Sequence, residues 1–170
     1  THVGKHIVIK PSWEAYEAQP DDVVLELDPG MAFGTGTHPT TCLCLQGLEE
    51  IIRPDTLVFD VGTGSGILAM AAARLGARAI KAVDIDGVAV RTAKENIAKA
   101  GLSDRIDVKQ GDLLHGTEGQ ADVIVANILA DIIIQLLPDV PGKLKDDGVF
   151  LASGVIEQYL DNVTRAAEAV

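Results

Sequence analysis

A glycine-rich turn is the part of this sequence whose residue types and spacing most clearly could do chemistry. Gly62, Gly64 and Gly66 follow the apolar run 57–59 at alternate positions, which lets a backbone approach a ligand closely. The alanine-rich segment after them predicts a helix whose first turn points free amide groups at the glycines. Strand, glycine turn and helix start together predict a nucleotide-shaped binding site. The alternative is an ordinary tight turn.

Polar residues at the ends of later strand-like runs could complete such a site. Asp84 follows the glycines by about 20 residues, the usual place for a carboxylate that binds ribose hydroxyls, although it could be a plain surface charge. Asp86 is predicted to cap the next helix. Asp112 could accept from an adenine amino group or serve as a turn aspartate. Asn127 could hold and aim an incoming amine through its carbonyl oxygen, or cap a helix.

The spacing of the glycines narrows the class of ligand. A dinucleotide fingerprint requires a glycine three residues after its second one, and this sequence has Ile67 there. A nicotinamide dehydrogenase is therefore disfavoured. The turn instead resembles that of class I S-adenosylmethionine-dependent methyltransferases, whose ligand carries a sulfonium and a carboxylate but no pyrophosphate.

Strand-like and helix-like runs alternate along the whole chain, and these elements must position the polar residues. The predicted strands are 23–27, 57–60, 80–84, 106–110, 123–127 and 149–153. The predicted helices are 40–52, 66–75, 88–100, 128–137 and 156–169. This order predicts an α/β, Rossmann-like fold: a mostly parallel sheet with helices on both faces and ligands at the carboxyl ends of the strands.

Composition and charge limit the function classes. The 170 residues, 47% hydrophobic and 23% charged, suffice for one well-buried domain. The net charge of -11 argues against a nucleic-acid groove; it suits a basic protein partner, or it only keeps the domain soluble. No apolar run approaches the roughly 20 residues that cross a bilayer, and we expect a cytoplasmic protein without membrane contact. Cys42 and Cys44 are two residues apart within a predicted helix and so face different directions, and reduced thiols and no metal site are expected.

A long loop before the first predicted helix narrows the resemblance from a superfamily to a family. Residues 27–41 have the sequence L-D-P-G-M-A-F-G-T-G-T-H-P-T-T. They are followed by D-V-G-T-G-S-G-I-L-A at 60–69, D-I-D at 84–86 and N-I-L-A at 127–130. This combination resembles the ribosomal protein L11 methyltransferase family from about residue 11 to residue 154.

The resemblance implies an enzyme that transfers methyl groups from S-adenosylmethionine to lysine side chains and the N-terminal amine of a large-subunit ribosomal protein. Its cofactor contacts fall on Thr41, Gly62, Asp84 and Asn127, all of which are present. It implies a single catalytic domain over 1–170, with a lead-in and cofactor loop at 1–40 and a Rossmann-like core at 41–170. The family's N-terminal substrate-recognition domain and final strands are not visible in this sequence, so we expect one domain of a longer protein.

The loop itself has a physical interpretation. Its glycines allow a flexible excursion and Phe33 offers an apolar face, which together predict a lid over the cofactor; an ordinary surface loop is the alternative. Pro39 suits the first position of the next helix, and His38 is expected to shape the loop rather than act as a base.

Asn127 is the predicted catalytic residue, which aims the amine at the methyl group. The sequence also leaves other functions open. A class I methyltransferase acting on a small-molecule amine or on RNA, and a non-catalytic S-adenosylmethionine-binding module, are the alternatives.

Overall fold

Two sheets organise the protein, and the computed structural model describes residues 1–28, 38–155 and 157–170. A small sheet contains β1 (His2–Val3), β2 (Ile7–Lys10) and β3 (Val23–Glu26). The main sheet contains β4 (Leu57–Val61), β5 (Ala79–Asp84), β6 (Ile106–Gln110), β7 (Ala121–Asn127) and β8 (Leu144–Ser153). Its strands are all parallel, in the order β6-β5-β4-β7-β8.

Helices cover both faces of the main sheet. They are α1 (Pro39–Ile51), α2 (Ile67–Arg74), α3 (Gly87–Lys99), α4 (Ala130–Leu136), α5 (Val140–Lys143) and α6 (Leu160–Glu168), with 3-10 turns at Leu137–Asp139 and Glu157–Tyr159. Val58 packs in the core cluster of α1, α2 and α3, whereas its neighbour Phe59 packs in the cluster that contains α4 and α5 residues. Because successive strand residues point to opposite faces, the sheet is covered on both sides, which confirms the predicted α/β fold class.

The predicted strand 23–27 exists as β3, but it belongs to the small sheet. It pairs in parallel with β2, and β2 pairs antiparallel with β1. These two strands have two and four residues, so they carry too little periodicity to be found from the sequence. The main sheet therefore begins at β4.

Strand β8 begins five residues before the predicted strand 149–153. Its register against β7 shifts between Ala121, which pairs with Leu144, and Val123, which pairs with Val149. The intervening residues include Asp147 at φ 65° and Gly148, and they have the composition of a turn. The sequence of this irregularity inside β8 therefore looks like a strand boundary, and the prediction starts the strand too late.

The helices differ from prediction mainly at their starts. The predicted helix 128–137 begins at Ala130, because Leu129 is extended with ψ 150°. The predicted helix 66–75 begins at Ile67, with Gly66 at φ 86° as its cap. Residue 156, the predicted start of the last helix, lies outside the described residues. No helix in the described part of the chain is both apolar and long enough for a bilayer.

Candidate functional site

The carboxyl ends of β4, β5 and β7 open into a cavity of about 620 Å³, within the roughly 300–1,000 Å³ typical of small-molecule sites. It lies where strand order reverses, since the chain runs from β4 outward to β6 and then returns to β7 on the other side. Six predicted site residues line it: Thr41, Gly62, Gly64, Asp84, Asp112 and Asn127. The topology thus brings together residues that are far apart in sequence.

Gly62, the first glycine of the turn, lies so close to Ile128 that a side chain there would collide with it. Gly62 has φ 74°, and a Cβ built on it would stand 2.4 Å from Cγ2 of Ile128. Gly66 is placed differently: a Cβ built on it would stand 3.3 Å from Cβ of Ala93 in α3. The lack of a side chain at Gly66 therefore lets the start of α2 pack closely against α3. Gly66 is not among the described residues that line the cavity, so its contact with a cofactor stays a prediction.

Two backbone amides hold the carboxylate of Asp84 at the end of β5. The N–H of Gly64 donates to Oδ2 at 2.9 Å, and the N–H of Asp86 donates to Oδ1 at 3.0 Å. Each oxygen keeps a further lone pair for a ligand hydroxyl. The side chain of Asp86 accepts from the N–H of Val88 at 2.9 Å, which confirms its predicted role as the cap of α3.

Asn127 ends β7, which hydrogen bonds to β4 on one side and β8 on the other. Its Nδ2 donates to Oγ1 of Thr41 at 3.0 Å, and Thr41 is fully buried on α1. One of its two N–H groups is therefore engaged, and its carbonyl oxygen can accept a hydrogen bond from a ligand. The alternative that Asn127 caps a helix is wrong, because Leu129 occupies the cap position of α4.

The start of α1 forms another part of the cavity wall. Nδ1 of His38 accepts from the N–H of Thr40 at 3.3 Å, and Pro39 occupies the first helical turn as predicted. His38 therefore caps the helix, which agrees with its expected shaping role. Phe33 and the rest of the predicted lid, residues 29–37, lie outside the described residues.

Asp112 lines the cavity but is largely exposed, and it also belongs to a turn. Its carbonyl accepts from the N–H of His115 at 3.0 Å, and its Oδ2 lies 3.7 Å from Nδ1 of the same residue. Leu113, which follows Asp112 in the chain and has φ 54°, forms part of the apolar wall of the cavity together with Ile85. Both predicted roles of Asp112, turn aspartate and adenine acceptor, are compatible with this position.

Asp60 is a buried carboxyl that is not among the predicted site residues. Desolvation, as the largest cause, raises the pKa of Asp60 to about 7, and the Asp84 carboxylate adds to the increase. The hydroxyl of Thr63, which donates to Oδ2 at 2.7 Å, and the N–H of Ala69 partly oppose it. An aspartate inside the apolar run 57–61 was the available signal, since buried carboxyls require an explanation.

Cys44 lies close to Asp60 on the same side of the sheet. Burial, with the nearby Asp60 charge as the smaller cause, raises the pKa of the Cys44 thiol to about 12, while a hydrogen bond with Ser153 opposes the shift. Within the described ranges no cluster of three or more His, Cys, Asp or Glu side chains could hold a metal ion.

Comparison with known proteins finds similarity over nearly the whole chain. The family model described as ribosomal protein L11 methyltransferase (PrmA) matches residues 1–170. A ribosomal protein L11 methyltransferase of Desulfitobacterium hafniense is 58% identical over 154 residues, 91% of this chain and 49% of that protein. One of Pelotomaculum thermopropionicum is 54% identical over 166 residues, 98% of this chain and 54% of that protein. The chain thus spans about half the length of the curated relatives it matches.

A solved structure shares the fold as well. The crystal structure of a ribosomal protein L11 methylase from Lactobacillus delbrueckii subsp. bulgaricus superposes with a TM-score of 0.91 at 39% identity. The match covers 99% of this chain and 88% of that one.

Proposed function

Since this chain belongs to the ribosomal protein L11 methyltransferase family, we propose that it is the catalytic part of an enzyme that methylates ribosomal protein L11. The cofactor we propose is S-adenosylmethionine, and the acceptors are lysine side chains and the N-terminal amine. The observation that carries the proposal is the convergence of Asp84 and Asn127 on one cavity at the reversal of strand order.

The residues present fit such a cofactor. The absence of a Cβ at Gly62 lets the turn lie close to Ile128, and the Gly62 backbone lines the cavity. Asp84, already fixed by two amides, offers acceptors for a pair of ribose hydroxyls. Ile85 and Leu113 give an apolar surface for an adenine ring, with Asp112 beside them as an acceptor.

Transfer of a methyl group needs placement more than acid–base chemistry. S-adenosylmethionine supplies an electrophilic methyl group on a sulfonium, and near-attack placement of an acceptor can contribute about 7–11 kcal/mol. Asn127 would accept a hydrogen bond from the amine through Oδ1 and orient the nitrogen lone pair. Rotation of its amide by 180° would require the hydroxyl of Thr41 to change from hydrogen-bond acceptor to donor.

The backbone carbonyl of Ile128 would be the second acceptor for the amine. A Cβ on Gly154 would stand 2.4 Å from this carbonyl oxygen, so the glycine leaves the oxygen its space. Gly154 and Ile128 both line the cavity.

The amine must be neutral to attack. A lysine amine with its ordinary pKa of about 10.4 costs about 4–5 kcal/mol to deprotonate at pH 7. Desolvation in a cavity with apolar residues such as Ile132 lowers an amine pKa, so this proposal includes no dedicated base. The net charge of -11 suits the approach of a basic ribosomal protein.

The test uses the full-length parent protein with isotope-labelled S-adenosylmethionine and a mixture of ribosomal proteins. Mass spectrometry should find the label on ribosomal protein L11, on lysine and N-terminal nitrogens. Asn127→Ala should abolish most of the label transferred to ribosomal protein L11. Asn162→Ala, on the exposed surface of α6, is the matched control and should leave it unchanged.

Three outcomes would contradict the proposal, each in a different way. Cofactor binding with no protein gaining mass would identify a non-catalytic module. Label on RNA or on a small amine would identify the rival methyltransferase classes. Failure to bind S-adenosylmethionine in calorimetry would remove the cofactor assignment itself.

A further inference from the structure

A buried carboxyl lies directly beneath the glycine turn, and the proposed reaction does not use it. Asp60, the fourth residue of β4, is 0% exposed and points to the side of the sheet that carries α1 and α2. Its Oδ2 accepts from the hydroxyl of Thr63 at 2.7 Å. Its Oδ1 has no hydrogen-bond partner within residues 1–28, 38–155 and 157–170.

The charges around Asp60 disfavour its ionised form. The Cys44 thiol on α1 stays neutral because its own pKa is about 12. Asp84, from the neighbouring strand β5, is a carboxylate and raises the pKa of Asp60 further. The described neighbours that oppose this are neutral donors, the hydroxyl of Thr63 and the N–H of Ala69. None of these neighbours is positively charged, so a positive charge brought by a ligand would stabilise ionised Asp60.

The turn connects Asp60 to the cavity. Thr63 donates to Asp60, and the next residue, Gly64, donates to Asp84. Both Thr63 and Gly64 line the cavity. A cation in the cavity would thus be separated from Asp60 by residues of the turn, and charge interactions are weakened less in the low dielectric of the interior than in water.

We propose that Asp60 is a proton-linked counter-charge, a positioning residue that distinguishes the cationic cofactor from its neutral-sulfur product. Asp60 releases its proton when S-adenosylmethionine is bound and keeps more of it when S-adenosylhomocysteine is bound. The two ligands differ by one positive charge at sulfur. The inference rests on the proposed function, because it requires a sulfonium ligand in this cavity.

The expected effect follows from linkage. The pKa of Asp60 is about 7, and a decrease of about one unit on binding would release about half a proton at pH 6.5. It also raises the affinity for S-adenosylmethionine about tenfold from below pH 5 to above pH 8. S-adenosylhomocysteine should gain less, so the affinity ratio of cofactor to product rises with pH.

The test is isothermal titration calorimetry at pH 6.5 in two buffers of different ionisation enthalpy, which counts protons released on binding. The chain should release more with S-adenosylmethionine than with S-adenosylhomocysteine. Asp60→Asn should abolish the difference. Asp107→Asn removes an exposed carboxylate on β6 as the matched control and should keep it.

Equal proton release with the two ligands, or a difference that persists in Asp60→Asn, would overturn the inference while leaving cofactor binding intact. Absence of any binding of S-adenosylmethionine would instead overturn the proposed function. Should Asp60→Asn fail to fold, the unaltered chain still decides: a cofactor-to-product affinity ratio that stays flat between pH 5.5 and 8 refutes the role of Asp60.

Discussion

Replacing Asp60 with Asn should stabilise the protein at high pH and leave its stability at low pH nearly unchanged. The pKa of Asp60 is about 7 in the folded chain, against an ordinary value of 3.8. Folding therefore favours the protonated carboxyl. Stability is retained while the carboxyl is protonated in both states, and it declines as the pH rises from about 4 toward about 7. Asn mimics the protonated form at every pH.

The size of the effect follows from the two pKa values. The increase from 3.8 to about 7 exceeds three units, each equivalent to about 1.4 kcal/mol of differential stability. Above pH 8 the variant should therefore be more stable than the unaltered chain by on the order of 4 kcal/mol. Near pH 4 the difference should fall to within about 1 kcal/mol, since two neutral groups of the same shape then occupy the site.

The assay is urea denaturation of both chains at several pH values between 4 and 8.5, followed by circular dichroism. Differences between the chains cancel the titration of the other carboxyls, which include Asp22 and Asp28 with lowered pKa values. Asp107→Asn, at an exposed position on β6, is the matched control. A free-energy difference for Asp60→Asn that is constant with pH, or that has the opposite sign at pH 8, would show that the carboxyl is not held protonated by burial.

Three further predictions concern the cavity and its surroundings. Asn127→Ala should lower turnover about 10- to 100-fold, the cost of a lost half-buried acceptor, and this loss should exceed the loss of cofactor affinity seen in calorimetry; equal losses in both would refute the aiming role. Gly62→Ala and Gly76→Ala both place a side chain at positive φ. Gly76→Ala should cost about 1–2 kcal/mol in urea denaturation, and Gly62→Ala should cost more because its Cβ also stands 2.4 Å from Cγ2 of Ile128. Only Gly62→Ala should also weaken cofactor binding, because a Cβ on Gly76 meets nothing within 4 Å. Cys44 should resist iodoacetamide until the protein unfolds, whereas half-buried Cys42 is alkylated faster in peptide mapping; rapid native labelling of Cys44 would contradict its pKa of about 12.

Local signals in the sequence were sufficient for much of the main sheet. The turn after β4 and the carboxylate at the end of β5 could be predicted because glycine spacing and strand ends are properties of short segments. The same is true of the cap formed by Asp86. Parallel order then followed from the alternation of strands and helices.

Long-range pairing could not be predicted in this way. The bond between Asn127 and Thr41 joins residues 86 positions apart, and it helps to position the Asn127 amide. The burial of Asp60 depends on which face of β4 lies under α1 and α2, a property of packing. Gly66 could be assigned to helix packing only once α3 was in place beside it. The resemblance to a known family supplied Thr41, which no local pattern indicates.

The close fit of Ile128 between two glycines has a consequence for how the sequence can evolve. A side chain added at Gly62 collides with Cγ2 of Ile128, so a smaller residue at position 128 could remove the collision, although the added side chain would still lie at φ 74°. A side chain added at Gly154 collides with the backbone oxygen of Ile128, and no replacement at position 128 removes that atom. Positions 62 and 128 should therefore covary among descendants of this protein, whereas position 154 should stay fixed regardless of its neighbours.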